Sequence, residues 1–281
     1  MIKMTFTKTT QARSDALLFI HQSLPTHQWQ YNEVEIHALK NAMLNHSLFQ
    51  HPILKQMLEQ RLTLEHLQKI HIHYFHAIVH IFTDALSMLI FQTQQLDHAI
   101  NLKAESRHIA KIYARYLLSL NLMDELGFNS ATLEKSSPNK SHLVYFTQLI
   151  AQLDISSDST PCVEAQHIRD FIKKHYNEYS NLLLILACTE KQVIYFSQAL
   201  SQNLYKYDPK YCQGYYDCHG KADHSDRLAN DDNHEDDLWC LLTQCYDKHN
   251  KQTLTILEQE YLTLWANFWS KMQSMQTTSV T

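Results

Sequence analysis

Carboxylates and imidazoles fall at four places in this chain where helical geometry can bring them together. The first is NLMDELG, where Asp124 and Glu125 end an apolar-patterned segment at Gly127 and Ser141-His142 opens the next. A carboxylate on the last turn of one helix can meet a histidine on the first turn of its neighbour. The plain alternative is a solvated acidic helix end and an exposed histidine. The second is Glu190, inside SNLLLILACTEKQVIYF. A carboxylate following an apolar run must find a partner or take up a proton. A metal ion is one such partner; a solvent-facing edge marked by Glu190 and Lys191 is the alternative. The third is the run from Tyr215 to Trp239, dense in His and Asp. His219, Asp223 and Asp226 fall at i, i+4 and i+7, and Asp231 and His234 at i and i+3, so each set shares a helix face. Mixed imidazole and carboxylate donors suit iron, manganese or zinc, whereas a hydrophilic acidic loop would carry the same composition. The fourth is His76, His80 and Asp84 at i, i+4 and i+8, in the most apolar segment. Here core histidines bonded to backbone are the favoured reading.

The elements that must position these residues follow from composition. The 281 residues contain three glycines, Gly127, Gly214 and Gly220, and five prolines. Tight β-turns and phosphate-binding loops both depend on glycine, so an all-β fold and a Rossmann or P-loop fold are excluded and long helices are favoured. The formal net charge is −5 with no basic stripe, which argues against nucleic acid as a partner. The longest apolar run, Leu182 to Cys188, is far short of the roughly 18 residues of a membrane span. The N-terminal residues lack a secretory pattern. Six cysteines without a C-x-x-C motif read as reduced thiols of a cytoplasmic protein.

Residues 1–30 read as an N-terminal extension with one short helix at 12–23, and 31–281 as a single helical bundle domain. His51-Pro52 marks a helix start with proline in the first turn. Thr63 caps a helix expected to run unbroken to Gln94 and, being apolar nearly all round, to lie at the centre. Asn101 to Leu126 reads as a helix stopped by Gly127, Ser141 as the cap of another, and Val163 to Tyr205 as one long helix or two. Tyr215 to Leu242 is helical in part, and Lys251 to Met275 is an amphipathic final helix.

In this order and on these helices, the first three features resemble the heme-oxygenase-like diiron oxidases and oxygenases. That superfamily includes the chlamydial protein that makes para-aminobenzoate, alkene-forming fatty-acid decarboxylases and amine N-oxygenases. The His-Pro start and the histidine- and tyrosine-rich helix of HPILKQMLEQRLTLEHLQKIHIHYFHAIVHIF are similar to theirs. So are NLMDELG with Glu125, SHLVYF with His142, the mid-helix Glu190, and YYDCH with His219. The similarity spans roughly residues 50–275. Two departures stand out. The loop between Glu125 and His142 is long. The closing D-x-x-H is not clean either, because Asp226 stands three after Asp223. A D-x-x-H does occur at Asp231 to His234 if about eight residues are inserted. Fifteen residues of straight helix span about 22 Å, so joining His219 and His234 at one site requires a break near Gly220. The insertion register is preferred over His219, Asp223 and Asp226.

The resemblance implies an all-α, heme-oxygenase-like helical bundle holding two irons, with manganese as an alternative, by Glu125, His142, Glu190, His219 and either Asp223 with Asp226 or Asp231 with His234. It implies binding and reduction of dioxygen and oxidation of a small organic substrate, in a pocket for which Tyr74, Tyr145 and Tyr216 are candidate lining residues. The expected partners are that substrate and dioxygen, without nucleic acid or membrane; a homodimer is left open. Two other classes stand beside this reading. One is a metal-free enzyme of the same fold, similar to thiaminase-like or quinone-cofactor-forming members. The other is a non-enzymatic helical interaction protein.

Overall fold

The computed structural model describes residues 11–129, 133–218 and 230–276, with the backbone alone for 230–233. The described residues form twelve α-helices and short 3-10 turns, with no strand among them. The helices are α1 (Gln11–Gln22), α2 (Thr26–Leu44), α3 (Pro52–Leu58), α4 (Leu64–Ala77), α5 (Phe82–Gln92), α6 (Arg107–Glu125), α7 (His142–Gln152), α8 (Val163–Lys174), α9 (Tyr179–Tyr205), α10 (Tyr215–Cys218), α11 (Asn230–Cys245) and α12 (Lys251–Ser274). The all-α expectation holds.

Local chemistry sets several helix starts. His51 precedes Pro52 and accepts from the Ile53 amide; Thr63 accepts from the His66 amide and Ser141 from the Val144 amide. Each satisfies one of the donors a helix start leaves unbonded. The segment read as an N-terminal extension contains α1, which buries Ala16 and Ile20 and packs against α6 and α11. Its Arg13 reaches Asp237 of α11 at 2.5 and 3.0 Å.

The centre of the bundle is α9, not the segment after Thr63. Every residue from Asn181 to Glu190 is buried, and α9 packs against α3, α5, α11 and α12. A helix apolar on all sides is stable only where neighbours cover all of them. The expected helix from Thr63 to Gln94 is interrupted: α4 ends at Ala77, Ile78 takes φ −142°, and a 3-10 turn at Val79–Ile81 leads into α5. Neither glycine nor proline marks this break. It falls in the β-branched run Ile78, Val79 and Ile81, whose side chains lower helix propensity, and the His80 ring bonds the Phe75 carbonyl. The break removes the single stripe expected of His76, His80 and Asp84. By length and composition Leu64–His98 passes as a membrane-crossing helix, its most apolar 18-residue window having a mean hydropathy of 1.5. In the fold it is a bent series of elements whose buried face belongs to the common core.

A second stripe lies on α12, where Leu254, Glu258, Tyr261, Trp265, Phe268, Trp269 and Met272 are all buried. Its Trp269 stacks on Phe196 with ring centroids 4.2 Å apart, and its Trp265 meets Tyr74 at a tilt with centroids 5.7 Å apart. Burying each large apolar side chain contributes roughly 1.5–3 kcal/mol.

Candidate functional site

The α6–α7 corner is built to bring a carboxylate and an imidazole together. On α6, Ala110, Ala114, Leu117, Leu118, Asn121 and Glu125 form one buried stripe. Glu125 is therefore carried into the interior at the last turn, one turn beyond Asn121, while Asp124 points to the side. The helix closes as a Schellman motif: Phe128 N–H donates to the Met123 carbonyl and Gly127 N–H to that of Asp124, both at 2.9 Å. Gly127 has φ +83°, and a Cβ there would overlap the Ser137 carbonyl oxygen and the Ser141 amide nitrogen. Glycine is thus required twice over, by backbone conformation and by space. The Ser137 amide donates to the Gly127 carbonyl at 3.0 Å, clasping the returning chain against the end of α6. Ser141 then caps α7, and His142, its first residue, meets Glu125 at 2.9 Å between Nδ1 and Oε1.

Both side chains are buried. Burial alone would lower the His142 imidazole, but the Glu125 charge and hydrogen bonds to Cys218 and Glu125 outweigh it and hold the ring well above its usual value. Glu190 arrives from the middle of α9, also buried, and Asn121 Nδ2 donates to its Oε1 at 3.4 Å. Glu125, His142 and Glu190 line one cavity of about 30 Å³ together with Ile78, Val79, Phe82, Thr83, Leu143, Val193 and Tyr215. That is room for one or two waters. The α4–α5 break supplies two of those walls, Ile78 and Val79, and the first turn of α5 supplies Phe82 and Thr83, so the irregularity shapes the cavity.

The remaining expected ligands separate into two groups. His219, Asp223 and Asp226 lie outside the described residues, as does the side chain of Asp231. His234 is buried in the first turns of α11 with Nε2 3.5 Å from Asp124 Oδ2. It therefore meets the acid beside Glu125. The chain has left α10 at Cys218 and begins α11 at Asn230, so the described helices are two separate elements. The acids at this end are paired: Glu235 lies 3.1 Å from Lys191, 3.3 Å from Lys40 and 3.0 Å from Trp239 Nε1. Among the described residues no three or more His, Cys, Asp or Glu are arranged to hold a metal ion.

Of the three tyrosines expected at the pocket, Tyr74 and Tyr216 are buried in the neighbouring core and Tyr145 packs against Gly214. Tyr215 lines the cavity instead. The other residue not anticipated is Asn121, whose signal was present: a polar side chain four before Glu125 on the apolar stripe.

No protein-family model and no curated protein sequence matches the chain. Among solved structures it is similar to a CADD-like protein of unknown function from Nostoc punctiforme PCC 73102. The match has 12% identity and a TM-score of 0.60, and covers 87% of this chain and 100% of that one. At that identity the likeness is one of fold.

Proposed function

We propose that this chain is a metal-dependent oxidoreductase of the heme-oxygenase-like type that uses dioxygen to oxidise a small organic substrate. One observation carries the reading. Glu125, His142 and Glu190 come from three different helices, all are buried, and all line the same cavity. Three unrelated polar residues would scatter across a bundle of this size. The fold likeness to a CADD-like protein of unknown function supports the helical-bundle part of the reading alone.

The donors fit iron or manganese in kind, being two carboxylates and one imidazole. Glu125, His142 and Glu190 would hold the metal from the α6, α7 and α9 side, and further donors from residues 219–234 would complete the set. When bound, a metal pair supplies the electrons and Lewis acidity for reducing dioxygen. The chain's own part is positional. Asn121 orients Glu190 by donating to one of its oxygens, leaving the carboxylate directed by α9 toward the cavity. Ile78, Val79, Phe82 and Val193 keep the cavity walls apolar, which strengthens every charge interaction inside.

The test is metal content. Protein purified without chelator should contain iron or manganese, and Glu190→Gln and His142→Ala should each lose most of it while keeping the parent's circular dichroism. A parent free of both metals, and unable to take up iron(II) under anaerobic conditions, defeats the reading.

A second reading rests on Cys218, which hydrogen-bonds His142 while His142 pairs with Glu125. A thiol beside an imidazole that is itself held by a carboxylate is the arrangement of a cysteine nucleophile, and it would serve a metal-free enzyme of this fold. Cys218→Ser separates the two: it leaves metal content unchanged under the first reading and abolishes activity without metal under the second.

A further inference from the structure

Beside the cavity lies a hydrogen-bonded pair that neither reading uses. His71 on α4 and Tyr216 on α10, 145 residues apart in sequence, meet at 2.7 Å between Nε2 and the phenol oxygen. Both are buried, at 1% exposure each. The other ring nitrogen of His71, Nδ1, lies 2.6 Å from the Leu67 carbonyl. A carbonyl can only accept, so Nδ1 carries the proton. Burial disfavours charge on this ring and lowers it to about 4, against a smaller opposing effect of the Leu67 bond. The imidazole is therefore neutral, its tautomer is fixed, and Nε2 offers a lone pair to the Tyr216 hydroxyl.

A buried phenol needs a hydrogen-bond partner, and a backbone carbonyl would satisfy that need at less expense than a buried imidazole. What a carbonyl cannot do is keep the proton. A phenol is hard to oxidise while its proton stays in place, because the radical cation is strongly acidic. Oxidation becomes feasible when a base already in contact takes the proton as the electron leaves. The surroundings suit electron transfer. The Tyr216 ring is 5.3 Å from that of Tyr215, which lines the cavity. The Tyr74 ring lies 5.7 Å from Trp265 and 6.1 Å from Trp269, all of them buried.

We infer that Tyr216 and His71 form a proton-coupled redox pair that delivers one electron toward the cavity beside it. Tyr216 loses one electron to a one-electron oxidant. Its O–H bond breaks, the proton forms a bond to Nε2 of His71, and a neutral tyrosyl radical and an imidazolium result. The return step takes one electron from substrate or reductant and moves the proton back. In the cell the oxidant is the product of one-electron dioxygen chemistry at the cavity, a clause that rests on the proposed function; the pair itself does not.

The experiment supplies its own oxidant. The full chain as purified is illuminated with a ruthenium polypyridyl sensitiser and a cobalt(III) sacrificial acceptor, frozen, and read by electron paramagnetic resonance. The parent should give a tyrosyl radical whose spectrum narrows when the protein is grown on ring-deuterated tyrosine. Tyr216→Phe should lose that signal. His71→Gln keeps the phenol but removes the base, and it too should lose it, with oxidation passing to tryptophan. The two variants read the same pair from opposite sides, so either one that folds decides the matter. A parent without a tyrosyl radical, or a radical that survives either variant undiminished, overturns the pair. Iron and manganese analysis of the same preparation, with the anaerobic iron(II) uptake test, keeps the outcomes apart, since a radical in protein that neither contains nor takes up metal upholds the pair and sinks the oxidase.

Discussion

Glu125 at the α6–α7 corner and Glu258 on α12 are both buried carboxylates on helices that pack against the core, and their surroundings could hardly differ more. Glu125 shares a cavity with Glu190 and meets an imidazole at 2.9 Å. Glu258 is fully buried on the aromatic stripe of α12, and neither of its oxygens has a hydrogen-bond partner among the described residues. The first acid is kept in the interior by an opposite charge on the neighbouring helix. The second is kept there by the helix rotation that buries Leu254, Tyr261 and Trp265, and it remains by holding its proton: burial raises it from 4.5 to about 8. A buried carboxylate is therefore not itself the mark of a site. The mark is the convergence of separately anchored polar groups on a shared space.

The largest effect should come from breaking the corner. Gly127→Val forces a β-branched residue into φ +83° and into the Ser137 carbonyl and Ser141 amide. It should cost roughly 3–5 kcal/mol and lower Tm by about 10 °C or more. Metal content should fall with it, because Glu125 and His142 no longer meet. Unchanged thermal unfolding would mean that the clasp does not hold the corner.

Next in size is Glu258→Gln, which sharpens the comparison through pH. The native state keeps the Glu258 proton up to about 8, whereas the unfolded chain releases it near 4.5. The native state thus binds more protons in that window, and stability falls as pH rises across it. The glutamine variant should flatten this fall by about 2–4 kcal/mol over the window, as measured by urea unfolding at several pH values. His142 works in the same direction but higher: its ring is raised above 6.5, so its contribution is full below 6.5 and is lost as pH rises through the raised value. A slope that persists in the variant only above about pH 6.5 belongs to the corner. An identical slope in parent and variant would show that Glu258 is ionised throughout.

The smallest effect should come from Ser141→Ala. It removes the bond to the Val144 amide at the start of α7 and should cost about 1 kcal/mol. Metal content should be retained, since the Gly127 clasp still fixes the chain. A loss of metal as large as that from Gly127→Val would assign the corner's precision to the cap instead.

What the sequence disclosed and what it hid divide along the same line. Glu125 and His142 were legible because helix ends announce themselves, with Gly127 after one and Ser141 before the other. Glu190 was legible because a charge in LILACTEKQ stands out from its neighbours. Glu258 was not, since in LEQEYL it looks like Glu260, and only the rotation of α12 decides which of the two is buried. The break at Ile78 carries no proline or glycine, and β-branched residues lower helix propensity too weakly to locate a kink. Tyr216 and His71 meet across 145 residues, a pairing that only the packing of α10 toward α4 and α7 creates. The bend expected near Gly220 and the ligands His219, Asp223 and Asp231 fall on residues whose side chains are outside the described set.

The clasp between the Gly127 carbonyl and the Ser137 amide has a consequence for how such a protein can change. It ties off the arc 128–136 at its neck, so the meeting of Glu125 and His142 is set by the helix ends and not by the arc's length. Closing a longer arc over the same neck costs only about 0.6 kcal/mol per doubling. Insertions, deletions or whole grafted peptides can therefore be exchanged between 128 and 136 while Glu125 and His142 stay in register. Both an evolving lineage and a protein engineer can vary this part of the chain without disturbing the corner beneath it.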